Sequence, residues 1–65
     1  MDSLSIRISD NISLNYSHTR NGMDYFGVLV GESYRPRLLD VVEGCTDTQV
    51  VDEFLIRESV SLVAA

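Results

Sequence analysis

The sequence predicts a small α+β domain: a three-stranded antiparallel β-meander over about residues 3–31, covered by one or two short helices at about 36–43 and 47–57. Three observations carry that reading. Asn21-Gly22 separates two apolar runs, residues 4–8 and 12–16 each alternate apolar with polar, and a capping sequence at Thr46 opens a stretch with apolar residues spaced by three and four.

The hairpin comes first because it fixes a register. Asn-Gly between apolar runs favours a two-residue type I′ turn, which needs φ > 0 at both central residues. With Arg20 facing Met23, an unbroken ladder sets His18 against Tyr25, Tyr16 against Gly27 and Leu14 against Leu29. Ile12, Leu14, Tyr16, Tyr25 and Leu29 then share one face. Phe26, Val28 and Val30 fall on the other, beside Ser13, Asn15 and Ser17.

The first strand, with Leu4, Ile6 and Ile8 on one side, joins through a three-residue loop of Ser9, Asp10 and Asn11. That loop sets Ile8 against Ile12, Ile6 against Leu14 and Leu4 against Tyr16, so apolar faces apolar throughout. A two-residue turn at Asp10-Asn11 would mix the faces. Asn11 tolerates the left-handed conformation such loops use.

After Gly31, residues 32–37 read as a loop. Pro36 suits the first position of a helix, and Leu38, Leu39, Val41, Val42 and Cys45 recur at three and four, with Gly44 just past the end. A strand over residues 38–42 is the competitor, since valine is at home there. The second helix is better marked. Thr46 and Gln49 form a capping box, Asp47 complements the helix dipole, and Val50, Val51, Phe54 and Leu55 make the inward stripe. The tail from Ser59 alternates, and reads as a short C-terminal strand, as an extension of the helix or as a frayed end.

The totals bound the function. A chain of 65 residues is one domain and buries only about 60% of its extended surface, which leaves little room for a ligand pocket. Cys45 is the single cysteine, so no internal disulfide forms, and a small buried thiol is the expectation. Residues 1–4 lack a basic region followed by a long apolar run, and no stretch reaches membrane-spanning length. Asn11-Ile12-Ser13 and Asn15-Tyr16-Ser17 match the glycosylation tripeptide, a pattern too short to count without a secretory signal. The expectation is a cytoplasmic protein.

Chemistry is sparse. No glycine loop opens a helix to hold phosphate, and one cysteine with one histidine cannot build a zinc site. Cys45 and His18 form no local nucleophile motif, and Asp52 and Glu53, adjacent on a helix, point apart. The sequence predicts no enzyme, no metal and no cofactor.

Charge is more informative. Residues 1–37 balance, with Asp2, Asp10, Asp24 and Glu32 against Arg7, Arg20, Arg35 and Arg37. Residues 38–65 hold Asp40, Glu43, Asp47, Asp52, Glu53 and Glu58 against Arg57 alone, so the whole net charge of −5 lies there. Such a face commonly serves solubility. Its functional reading is a partner-binding surface for a basic protein, and it repels nucleic acid. Tyr34, Arg35 and Arg37 form a short aromatic and basic loop of the kind that anchors interfaces.

These features point to a small acidic module that binds protein, an inhibitor or regulator docking its acidic helices on a basic partner. Phage and mobile-element proteins that present nucleic-acid-like charge to host defence systems work this way. The alternative is a homo-oligomeric assembly subunit. Phe26, Val28 and Val30, left uncovered by the unbroken register, in either case predict a two-fold homodimer through the third strand, with Phe26 buried in it.

Overall fold

A computed structural model describes the backbone of residues 4–64 and the side chains of residues 4–59. The elements are β1 (Ser5–Arg7), β2 (Ile12–Arg20), β3 (Met23–Val30), β4 (Ser33–Tyr34), β5 (Leu39–Val42) and α1 (Asp47–Ala64). The strands form one antiparallel sheet and α1 covers one face, so the α+β class holds.

The β2–β3 turn is the expected one. Asn21 and Gly22 have φ of 53° and 77°, and Arg20 faces Met23. The first hairpin also takes its expected register, with Ile6 opposite Leu14 and Ile8 N–H bonded to the Ile12 carbonyl at 2.9 Å. Asn11 is not left-handed there; among the described non-glycine residues only Asn21 has positive φ.

The unbroken β2–β3 ladder is the main correction. A β-bulge at Ser17 inserts one unpaired residue between Tyr16 and His18. Before it, Tyr16 faces Phe26, Leu14 faces Val28 and Ile12 faces Val30. One extra residue exchanges the faces of everything upstream. Ile12, Leu14 and Tyr16 therefore share the covered face with Phe26, Val28 and Val30. Phe26 is 0% exposed and Val28 5%. The core unites Ile6, Leu14, Phe26 and Val28 with Leu39, Val41, Val50 and Phe54. Tyr16 meets Phe26 edge to face, with centroids 5.8 Å apart.

The bulge is pinned by a polar chain at the hairpin. Buried Asp24 accepts a short hydrogen bond from the Thr19 hydroxyl. Because Thr19 spends its single proton on Asp24, the Tyr16 hydroxyl 2.6 Å away must donate to Thr19. No buried side-chain polar atom lacks a partner among the described residues.

The segment expected as a helix at 36–43 is strand instead. Gly31 (φ 65°) opens a two-residue turn that sends the chain back along β3 as β4. The edge then breaks. Arg35, Pro36, Arg37 and Leu38 span the gap opposite only Gly27 and Val28, and the strand resumes as β5 with Leu39 opposite Phe26. Leu39 and Val41 face the core, and the branched side chains suit the pleat better than a helical turn.

The second helix begins as expected. Thr46 N–H donates to Gln49 Oε1 at 2.8 Å, and Gln49 N–H donates to Thr46 Oγ1 at 3.2 Å. The helix runs on through Ala64, so the tail is not a strand. No helix among the described residues is long and apolar enough to cross a membrane.

Candidate functional site

The six carboxylates expected to form one acidic surface divide into two groups. Arg57, projecting from α1, gathers two of them. Its Nη1 bonds Asp40 Oδ1 at 2.5 Å, its Nη2 the Asp40 carbonyl at 2.7 Å, and its Nε Glu53 Oε1 at 3.0 Å. Hydrogen bonds from Arg57 hold the Asp40 carboxyl below the usual carboxylate range, against the upward push of burial. The same bonds to Asp40 raise the Arg57 guanidinium. Glu58 pairs with Arg35. Asp40 and Glu58 thus fasten α1 to the broken edge strand, while Glu53 steadies Arg57 within the helix.

Glu43 and Asp52 make no ion pair among the described residues, and both are exposed. Asp47 is half-buried in the first turn of α1 and is itself engaged. The acidic surface is therefore smaller than the charge count implies.

What stands beside Asp52 was not anticipated. The inward face of α1 carries Val50, Val51 and Phe54, while Leu55, expected inward, is 50% exposed and Ile56 is 58% exposed. Asp52, Leu55, Ile56 and Ser59 follow at i, i+3, i+4 and i+7, so they share the outward face of the helix. Apolar residues on both faces of one helix are the available sequence signal, since a helix that buries one stripe should be polar on the other.

The aromatic and basic loop is also divided. Tyr34 lies on the open face of the sheet, where its hydroxyl accepts from Asn15 Nδ2 at 3.0 Å. Arg35 N–H closes onto the Val28 carbonyl at 2.8 Å. Arg35 and Arg37 border a cleft between the broken edge and α1, and Arg37 makes no hydrogen bond or ion pair among the described residues.

Phe26, Val28 and Val30, expected as an oligomer interface, belong to the core of the single chain or pack against it. The bulge at Ser17 brings them under α1, and the uncovered patch that called for a dimer does not exist. His18 and Cys45 each have their own neighbours among the described residues. His18 bonds Ser17 Oγ at 2.9 Å and stacks on Tyr25, while the Cys45 N–H turns back to the Val42 carbonyl. No cluster of metal-ligating side chains occurs among the described residues. No protein family, curated protein or solved structure matches the chain.

Proposed function

We propose that the chain is a non-catalytic protein-binding module that docks the outward face of α1 on a partner with a basic rim and an apolar groove. The observation that carries this reading is the uncovered pair Leu55 and Ile56 beside Asp52. Helix-in-groove recognition uses anchors at this spacing. Leu55 and Ile56 supply buried area, and Asp52 supplies sign. Asp40, Glu53 and Glu58 have a structural duty and are not the contact acids. Glu43, exposed and without an ion pair among the described residues, adds to the field that steers a basic partner toward the module.

An inhibitor or regulator fits this reading, because occupying a basic surface denies it to the anionic ligand that surface serves. A protein that imitates nucleic-acid charge for a host nuclease is one such case. Capture of a partner from the cells of origin, repeated over increasing salt, tests the reading. Binding should fall as salt rises, since rim charges are screened within a Debye length of about 10 Å at 0.1 M. Retention indifferent to salt would remove the acidic contribution.

A further inference from the structure

The break in the edge strand creates a site. Four residues, Arg35 to Leu38, span the gap opposite Gly27 and Val28, so the chain bows away from β3 where a regular strand would lie flat. Pro36, which has no N–H to donate, sits in the bow. The result is a half-open cleft of about 580 Å³ between the bow and the inner side of α1. That volume lies within the range of small-molecule sites, more than the little room expected of so short a chain.

The lining is two-sided in character. Buried Val28, Leu39 and Phe54 form an apolar floor. Arg35, Arg37 and Arg57, three of the five arginines in the chain, border it. Asp40 and Glu58 are the acids of the lining, each already bonded to an arginine. Arg35 is held by Glu58 and Arg57 by Asp40 and Glu53, while Arg37 brings a guanidinium with no partner among the described residues. In a protein of net charge −5, the cleft carries three arginines against two acids. Arg35 and Arg37 belong to the four-residue bow itself, so the break in the edge strand places two basic residues beside the apolar floor.

We propose that the cleft binds a small organic carboxylate with a compact apolar body, the body lying on Phe54 and Val28 and the carboxylate paired with Arg37. The planar fork of arginine matches a carboxylate with two parallel hydrogen bonds. Concavity favours a small molecule over the flat contact of a folded partner. The site is distinct from the outward face of α1, because neither Leu55 nor Ile56 lines it.

The test is a titration with phenylbutyrate, followed by amide proton–nitrogen correlation spectra, with phenylbutanol as the uncharged counterpart. Saturable shifts should cluster at residues 35–40 and 54–58, and the alcohol should bind about tenfold more weakly, the loss expected for one charge-assisted hydrogen bond. Arg37→Gln should remove that preference while leaving the weak alcohol binding intact. Leu38→Glu, an exposed change at the rim, should weaken the carboxylate by repulsion. A variant combining Asp52→Arg with Leu55→Ser should bind phenylbutyrate like the wild type, whatever becomes of protein docking. Equal binding of acid and alcohol, unchanged binding by Arg37→Gln, or shifts centred elsewhere would each overturn the proposal. So would a peptide α-carboxylate that binds the same residues more tightly, since the occupant would then be a chain end.

Discussion

Tyr34 lays its ring over Gly27 on the open face of the sheet. A Cβ added at residue 27 would stand 3.1 Å from Tyr34 Cε1 and 3.2 Å from Cδ1. Glycine weakens a strand, and an aromatic ring packed across it restores the lost contact. Gly27→Ala should push the ring outward slightly and strain its bond to Asn15. Tyr34→Ala should cost about 1 kcal/mol by uncovering the glycine. In urea unfolding, the alanine at 27 should be less unfavourable in the Tyr34→Ala background than in the wild type. Additive effects would show that the ring and the glycine are independent.

Leu14 and Val28 face each other at the centre of the core. Leu14→Ala should cost about 2–5 kcal/mol, which is most of the stability of a domain this small. Val28→Asp should unfold the chain, since it replaces a buried apolar side chain by a carboxylate whose desolvation outweighs any pairing with the arginines at the cleft border. A folded, soluble Val28→Asp protein in circular dichroism would contradict the bulged register, because the unbroken ladder turns residue 28 outward.

Ser17 is the extra residue of the bulge and is exposed. Deleting it should close the ladder with Tyr16 still opposite Phe26 and His18 still opposite Tyr25. The protein should therefore fold with stability changed by no more than about 1 kcal/mol, as expected for loss of a surface feature. Loss of folding on this deletion would mean that the bulge does more than correct the phase of the strands.

Much of this was legible in the residues. The Asn21-Gly22 turn, the β1–β2 register and the Thr46–Gln49 capping box all rest on short-range chemistry, and each formed as read. The bulge was also written in the sequence, as a conflict. A two-residue turn puts Ile12, Leu14 and Tyr16 out of phase with Phe26, Val28 and Val30, and one inserted residue resolves the conflict within a single chain. A dimer seemed to answer the same conflict only because the ladder was held unbroken. The break at residues 35–38 left no such trace, since Pro36 and the spacing of Leu38 to Val42 serve a helix as well as an edge strand. Arg57 could not be read as the tie between α1 and β5, because its partner Asp40 lies 17 residues away.

The pair of Asp40 with Arg57 makes a pH prediction. A carboxyl whose folded pKa is lowered contributes stability that is fully present above its unfolded value, about 3.9. That contribution disappears as pH falls through the lower folded value. Arg57 stays charged throughout this range and adds nothing to the acid side. Both side chains are about two-fifths exposed, so Asp40→Asn should cost no more than about 1 kcal/mol at neutral pH. Urea midpoints of the variant and the wild type should draw together as pH falls below the unfolded value and through the lower folded one. A gap that persists there would assign the effect to packing.

The outward face of α1 is the central claim, and one comparison tests it most directly. Wild-type protein and a variant combining Asp52→Arg with Leu55→Ser would be used to capture partners from the cells of origin, after both are shown to unfold at similar urea concentrations. Both residues are exposed and neither joins the core, so the fold should survive. The wild type should retain a basic protein that the variant releases, with binding weakened at least about a hundredfold by loss of an apolar anchor and reversal of a charge. Equal retention of the same protein by both forms would contradict the account.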